Sequence, residues 1–200
     1  SPSVSVDEKE NFRNEFFTLQ KLDHPNIIKS FEFGKVLIQD DDEDEGIEIF
    51  SPFITLEYFS SVELLDYKGL NEEKNLNIIL KQICAVLYYL HQSNYIYYDL
   101  KAENILVTEI NDLPFIKIID LGFSQHILSQ NELTIKGTAN YIAPELLKNE
   151  KHNHSVDFYS LGILLYRIVY GKFPFDSENE IDIYKAHIEE EFEFGETTFS

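Results

Sequence analysis

The stretch of sequence that decides the fold is YYDLKAEN, residues 97–104. It brings a carboxylate, an amine and an amide close together in the chain, at Asp99, Lys101 and Asn104. An apolar segment with helical spacing precedes this stretch, and a short apolar run at residues 105–107 follows it. The three polar side chains are therefore expected on a tight loop between a helix and a strand, where functional side chains are commonly held.

Two further motifs follow in the chain. The segment IDLG, residues 119–122, places a second acid, Asp120, directly after another apolar run, and its glycine lets the backbone turn sharply beside a ligand. The segment GTANYIAPE occupies residues 137–145. A polar loop such as residues 97–104 is weak evidence when it stands alone, because loops of that composition are common. The three motifs in this order are a much more specific signal.

The composition narrows the classes of function. The chain has 36 acidic residues against 16 lysines and arginines, which gives a formal net charge of −20, and 44% of its residues are apolar. A core is therefore expected, whereas binding to nucleic acid or to a membrane surface is not, because the field repels phosphate. Cys84 is the one cysteine and lies in an apolar helical run, which predicts a buried thiol in a reducing, cytoplasmic setting.

Hydrophobic periodicity predicts the elements around these motifs. The spacing indicates helices and two hairpins, the first of which has an acidic connection at residues 40–48 that contains six consecutive carboxylates. The predicted helices cover residues 8–22, 75–91, 145–148, 156–170 and 178–191, and the predicted strands cover residues 27–38, 50–59, 105–107 and 115–119.

The three motifs resemble those of the eukaryotic protein kinase family, and the lysine after Asp99 together with Thr138 after Gly137 resembles the serine/threonine type. The resemblance runs from Glu15 to about Tyr184 and implies an α+β, two-lobed protein kinase-like fold. We expect a partial small lobe at residues 1–59, formed by one helix and a strand pair. A mostly helical large lobe is expected at residues 60–200, and the chain is expected to be incomplete at both ends.

The resemblance also implies roles for individual residues in phosphoryl transfer from ATP to protein Ser or Thr hydroxyls. Asp99, Lys101 and Thr138 match catalytic positions, and Asn104 and Asp120 match the ligands of Mg²⁺. The predicted ATP-binding residues are Glu15, Leu56, Glu57, Phe59, Glu63, Lys101, Glu103, Asn104, Leu106 and Asp120.

Several positions depart from the family pattern. Tyr97 replaces the histidine of the catalytic loop, Tyr98 replaces the arginine that normally pairs with a phosphorylated residue, and Gln125 replaces a second basic partner. We therefore expect activity that does not depend on phosphorylation of Thr134. Arg167 stands where arginine-selective members often carry a glutamate, which conflicts with the preference for basic substrates that the net charge favours.

The alternative is a pseudokinase, a binding or scaffold module with the fold but without turnover. The sequence contains neither the glycine-rich nucleotide motif nor the strand with the nucleotide lysine. The presence of Asp99, Lys101, Asn104 and Asp120 favours the enzyme, because a module without catalytic duty has no chemical need for all four. The sequence leaves the substrate, the pathway and the oligomeric state open.

Overall fold

The computed structural model describes residues 6–38, 49–129 and 137–194. The predicted acidic run and Thr134 lie outside these residues. In the described part of the chain the helices are α1 (Val6–Leu19), α2 (Glu73–Gln92), α3 (Pro144–Leu147), α4 (Ser155–Tyr170) and α5 (Glu180–Glu189). The strands are β1 (Ser30–Ile38), β2 (Ile49–Leu56), β3 (Val62–Glu63), β4 (Tyr95–Ile96), β5 (Ile105–Ile110), β6 (Leu113–Ile118) and β7 (Gln125–His126). Helices and small antiparallel sheets are mixed, as the α+β prediction requires.

Helix α1 and the hairpin β1–β2 form the N-terminal part. The two strands are antiparallel, with Val36 opposite Ser51, and the register shifts once between Ser30 and Glu32. Helix α1 ends at Leu19, so the prediction of a helix to Leu22 is wrong by three residues. Beyond the helix, the Leu22 amide donates to the Leu19 carbonyl at 3.3 Å, which forms a single turn outside α1.

The second hairpin turns at an asparagine and an aspartate. Strands β5 and β6 pair antiparallel, and the two residues between them, Asn111 and Asp112, have positive φ angles of 52° and 60°. Asparagine and aspartate tolerate this left-handed region better than other non-glycine residues, which is why they occupy tight hairpin turns. Strand β3 adds to the other edge of β5, so the sheet order is β3–β5–β6.

Helix α2 lies at the centre of the hydrophobic core. Its apolar residues at three- and four-residue spacing are buried, among them Ile79, Ile83 and Leu87, each 0% exposed. Cys84, in contrast, is exposed, and the predicted buried thiol is wrong. It follows Ile83 by one residue and therefore points about 100° away from the core, onto the polar face of the helix.

The two parts of the chain are joined through strand β6. The amide of Ile118 donates to the carbonyl of Asn26 at 2.8 Å, and the amide of Ile28 donates to the carbonyl of Ile118 at 2.9 Å. The buried side-chain amide of Asn26 adds a bond to the carbonyl of Ile116, also at 2.8 Å. These bonds fix α1 and the first hairpin against the sheet that leads into Asp120.

The C-terminal helices follow the predicted pattern. Helix α4 ends at Tyr170, and Gly171 caps it in the left-handed conformation with φ 69°. Helix α5 begins after Asn179, whose side chain accepts a bond from the Ile181 amide, so its observed bounds are slightly narrower than predicted. None of the helices in the described residues is long and apolar enough to cross a membrane.

The buried and exposed faces of α2 predict different effects of substitution on stability. Leu87→Ala should lower the free energy of unfolding by about 3 kcal/mol, because it leaves a cavity in the core. Cys84→Ala, three residues earlier on the same helix, should change it by less than about 0.5 kcal/mol, since the thiol faces solvent. Urea unfolding of both variants and the unmodified chain measures the difference. A loss for Cys84→Ala as large as that for Leu87→Ala would contradict the orientation of the helix.

Candidate active site

A buried carboxylate lies at the centre of the candidate site. Asp99 is 2% exposed, and its two carboxylate oxygens accept bonds from two directions. The Thr138 hydroxyl donates to Oδ1 at 2.8 Å, and the Lys101 ammonium lies 2.8 Å from Oδ2. A buried charge is strongly unfavourable unless it is paired and hydrogen-bonded, and these contacts meet that requirement.

Asn104 completes the cluster around Asp99. Its amide nitrogen donates to the Asp99 backbone carbonyl and to Oδ2, both at 3.0 Å. The Lys101 ammonium also donates to the Thr138 hydroxyl, at 2.9 Å. The structure thus brings together four residues that sequence analysis selected, although Thr138 is 39 positions from Asp99 in the chain.

The buried carboxylate of Asp157, at the start of α4, holds the loop that carries Asp99. Its side chain is 0% exposed, and it accepts the Tyr97 amide at 3.0 Å and the Tyr98 amide at 2.9 Å. His91, near the end of α2, donates to the same carboxylate at 2.7 Å. These contacts anchor the loop to the start of α4.

The anchored backbone is strained at Tyr98. Its φ angle is 67°, a region that bulky residues occupy only when the surroundings hold them there. The Asp157 carboxylate supplies part of that restraint, and the Tyr98 hydroxyl is hydrogen-bonded to Nε2 of His152 at 2.9 Å. This contact lies at the position where the family pattern has an arginine.

Tyr97 fills the core beneath the loop. It is 0% exposed, and burial, followed by the nearby carboxylates of Asp120 and Asp99, holds the pKa of its hydroxyl well above the usual range. The ring is therefore a neutral, apolar support at the position where the family pattern has a histidine.

Gly137 allows Thr138 to reach Asp99. Its φ angle is 104°, and a Cβ atom at this position would lie 2.6 Å from the carbonyl oxygen of Tyr98. Only glycine combines that backbone angle with so close an approach. The segment that carries Thr138 can therefore pack directly against the backbone of the loop.

Asp120 follows β6 on a turn that helix α1 also contacts. The Gly122 amide donates to Oδ1 of Asp120 at 2.8 Å, which fixes the carboxylate on the turn. The side-chain amide of Asn14 donates to the carbonyls of Gly122 and Ser124 at 2.9 and 3.1 Å. Sequence reasoning missed Asn14, whose partners are more than 100 residues away.

Glu15, the next residue of α1, has an unusual environment. Burial first, and then the Asp120 carboxylate, raise its pKa from 4.5 to about 7. Within residues 6–38, 49–129 and 137–194, no lysine or arginine forms an ion pair with Glu15. The two acids therefore repel each other at this edge of the site.

Three of the predicted ATP-binding residues, Leu56, Glu57 and Phe59, lie at the end of β2 and just after it. Leu56 is 39% exposed, and Phe59 packs edge-on against Phe115 with ring centroids 6.3 Å apart. The Glu57 carboxylate forms an ion pair with Lys117 and accepts the Lys29 amide. Sequence analysis did not identify Lys117, because nothing in the local pattern marks a buried lysine on a strand.

The remaining predicted nucleotide contacts fall into two places. Glu63 and Leu106 lie directly opposite each other in the β3–β5 pair. Glu103 is on the catalytic loop, but its carboxylate is bound by Arg167 of α4 at 2.6 Å. A nucleotide contact by Glu103 is therefore restricted to its backbone unless that ion pair opens.

The two predicted metal ligands present oxygen donors. Asn104 uses its amide nitrogen for Asp99, which leaves its amide oxygen as the donor, and Asp120 contributes a carboxylate. Hard oxygen donors of this kind suit Mg²⁺, which is usually held by one or two protein groups and by substrate phosphates. In the described residues, no group of three or more His, Cys, Asp or Glu side chains is arranged to hold a metal without such a substrate.

The raised pKa of Glu15 predicts that the effect of Glu15→Gln on the free energy of unfolding depends on pH. The Glu15 carboxyl has a higher pKa in the folded chain than in the unfolded chain, so it ionises more readily when the chain unfolds. The folded state therefore loses stability as the pH rises from about 4.5 through 7. Glu15→Gln should therefore stabilise the chain by about 1 to 2 kcal/mol at pH 8, a discounted value because part of the side chain reaches solvent. At pH 4.5 the gain should disappear.

Urea unfolding at both pH values measures the Glu15 effect. Glu63→Gln serves as the control, since its side chain is exposed and a neutral substitution there should change little at either pH. An equal gain for Glu15→Gln at pH 4.5 and pH 8 would show that the gain does not come from ionisation of this carboxyl.

Comparison with known proteins places these features in a family. The sequence model described as "Protein kinase domain" matches residues 2–199. The chain is 34% identical over 199 residues to "Calcium-dependent protein kinase 5" of Plasmodium berghei (strain Anka), covering 98% of this chain and 33% of that protein. It is 31% identical over 203 residues to "Serine/threonine-protein kinase ATG1a" of Arabidopsis thaliana, covering 99% of this chain and 30% of that protein.

The "Calcium-dependent protein kinase 5" of Plasmodium falciparum (isolate 3D7) gives a similar match, 34% identical over 92% of this chain and 31% of that protein. The chain thus spans about one third of the length of each of these relatives. The family match extends over nearly the whole chain, and the expected partial kinase fold is confirmed. The chain belongs to the protein kinase family, and the relatives named here are serine/threonine kinases or calcium-dependent kinases by name.

Proposed function

We propose that the protein carrying this chain transfers the γ-phosphate of ATP to Ser or Thr hydroxyls of other proteins. The observation that carries the proposal is the cluster of Asp99, Lys101, Asn104 and Thr138 around one buried carboxylate. Phosphoryl transfer depends mainly on positioning the two reacting oxygens and on neutralising charge, and the cluster offers groups for both tasks.

In the proposed reaction, Asp99 orients the acceptor hydroxyl and takes its proton. Thr138 and Lys101 hold the two carboxylate oxygens, so the Asp99 side chain has one orientation before substrate arrives. Such preorganisation removes the need to order the base during the reaction. The Lys101 ammonium, 2.8 Å from Asp99, is also the cation nearest to the base and would stabilise the phosphate that approaches it.

Asn104 and Asp120 would hold Mg²⁺ through oxygen atoms together with the phosphates of ATP. The ion supplies charge neutralisation for the transferring group. Asn104 is fixed by its bonds to Asp99, and Asp120 is fixed by the Gly122 amide, so both donors have restricted positions. Thr138 contributes to the same site through its bonds to Asp99 and Lys101.

For the nucleotide, we propose that the adenine ring meets the backbone of Glu57 and Phe59, with Leu56 and Leu106 as apolar contacts and Glu63 beside the ribose. The Glu57 carboxylate is bound by Lys117 and the Lys29 amide, so only its backbone is offered to the base. Glu15 would gain a favourable charge balance from a cationic partner, since its neighbour Asp120 is acidic.

The substrates are proposed to be proteins with accessible Ser or Thr hydroxyls. The binding-module alternative gains no support from the relatives, whose names are those of kinases. A cytoplasmic location and the absence of nucleic-acid or membrane partners remain predictions from composition, and the oligomeric state stays open. The lobe bounds at residues 1–59 and 60–200 likewise remain a prediction.

The direct test replaces the proposed base. Asp99→Asn preserves the size of the side chain but removes its negative charge, and should lower phosphate transfer from Mg·ATP to a mixed Ser/Thr protein substrate by about 100-fold or more. The assay uses the full-length protein that carries this chain. Asp112→Asn is the matched control, because it makes the same substitution in an exposed hairpin turn where asparagine is equally suited.

The control should retain full transfer, and thermal melts should show both variants folded. Transfer that survives in Asp99→Asn would exclude Asp99 as the base. Failure of the folded, unmodified protein to transfer phosphate to any Ser/Thr substrate would favour the binding-module alternative.

A further inference from the structure

A tyrosine–histidine contact involves the residue that directly precedes the proposed base. The hydroxyl of Tyr98 and Nε2 of His152 are 2.9 Å apart, and the two rings meet edge to face with centroids 5.7 Å apart. His152 lies between α3 and α4 in the chain, and its Nδ1 is 3.2 Å from the carbonyl oxygen of Glu150. The contact therefore joins the catalytic loop to the connection between two helices.

The partners of His152 assign the direction of this hydrogen bond. A carbonyl oxygen can only accept, so Nδ1 carries the hydrogen that it shares with Glu150. Nε2 of the neutral ring is then an acceptor, and the Tyr98 hydroxyl donates to it. His152 thus supplies an acceptor that an apolar side chain at this position would lack.

Tyr98 is held in a conformation that its backbone does not favour. Its φ angle is 67°, and its amide donates to Oδ1 of Asp157 at 2.9 Å. Gly137 packs so closely against its carbonyl oxygen that a Cβ atom on the glycine would lie 2.6 Å away. Bulky residues occupy positive φ angles only where the surrounding contacts hold them. The bond to His152 adds a restraint at the far end of the side chain, whereas Asp157 and Gly137 act on the backbone.

The Tyr98 side chain passes through a small apolar cluster before it reaches His152. It is 5% exposed, and the buried residues of its cluster are Ile96, Ala143 and Val156. Side chains in close-packed surroundings have little freedom to move without displacing their neighbours. A hydrogen bond at the end of the ring therefore fixes the ring within the cluster, and with it the backbone that carries the ring.

We infer that His152 is a positioning residue of the proposed kinase, because its acceptor nitrogen holds Tyr98 and the Tyr98 backbone determines where the Asp99 carboxylate lies. Asp99 follows Tyr98 directly, so a relaxed Tyr98 backbone would move the base. A displacement of about 1 Å is enough to lower the rate of a reaction that depends on alignment. His152 acts through Tyr98, so its loss should affect kcat and not the binding of ATP. The inference rests on the proposed function.

The test measures kcat and KM for ATP in the full-length protein and in variants of this contact. Tyr98→Phe removes the donor, and His152→Asn removes the acceptor, because the shorter amide reaches only the position of Nδ1. Each should lower kcat about tenfold, while KM for ATP changes by less than about twofold. His152→Gln places an amide oxygen near the position of Nε2 and should retain about half of kcat or more. The double variant should be no slower than either single variant, because both changes remove the same bond.

Another tyrosine–histidine bond of the chain provides the matched control. The Tyr159 hydroxyl and Nδ1 of His187 are 2.6 Å apart and join α4 to α5. Tyr159→Phe removes a bond of the same kind and should leave kcat within about twofold of the unmodified value. Thermal melts establish that each variant is folded. Amide hydrogen exchange reports on the contact without substrate, and the Tyr98 amide should exchange about tenfold faster in His152→Asn but not in His152→Gln.

Unchanged kcat in folded Tyr98→Phe and His152→Asn would overturn the inference while the proposed function stands. An equal loss of kcat in Tyr159→Phe or in His152→Gln would overturn it as well, since the loss would then not come from this acceptor. If His152→Asn does not fold, the kcat of Tyr98→Phe decides in the same way. A folded, unmodified protein that transfers no phosphate overturns the proposed function, and the inference falls with it. Faster exchange of the Tyr98 amide in His152→Asn would then show that the contact itself stands.

Discussion

The catalytic loop depends on one buried carboxylate, that of Asp157. It is 0% exposed and accepts the amides of Tyr97 and Tyr98 and the ring of His91. The bond to Tyr98 falls on the residue with a φ angle of 67°, where the backbone alone would favour another conformation. Asp99 follows directly, so the direction of its side chain is fixed by a contact made from the start of α4. The approach of Gly137 to the Tyr98 carbonyl, and with it the contact of Thr138 with Asp99, builds on the same backbone.

Charge balance explains much of the remaining site. Three carboxylates of the site pair with individual cations: Asp99 with Lys101, Glu57 with Lys117 and Glu103 with Arg167. Each pairing offsets the cost of removing a carboxylate from water. Glu15 differs, because burial and then the Asp120 carboxylate raise its pKa. The acids that have a cation are held in place, whereas the edge formed by Glu15 and Asp120 is the part of the site that most favours an incoming positive charge.

The elements that sequence analysis predicted well are those whose signals are local. Helix α2 has a complete apolar face, and the Asn111–Asp112 turn determines the second hairpin. The predicted end of α1 and the predicted burial of Cys84 were wrong. Both depend on a shift of one to three residues that hydrophobic spacing does not resolve. Within the site, the motifs predicted Asp99, Lys101 and Asn104. The contacts of Asn14 and Lys117, and the pairing of Arg167 with Glu103, join positions distant in the chain and leave no periodic signal.

Amide hydrogen exchange measures whether Asp157 orders the catalytic loop. In the unmodified chain the amides of Tyr97 and Tyr98 should exchange as slowly as those in the core of α2, because both are buried and bonded to the carboxylate. In Asp157→Asn these two amides should exchange about tenfold faster or more, while the amides of α2 around Ile83 keep their rates. Equal rates for Tyr97 and Tyr98 in the variant and the unmodified chain would show that contacts other than those of Asp157 hold the loop.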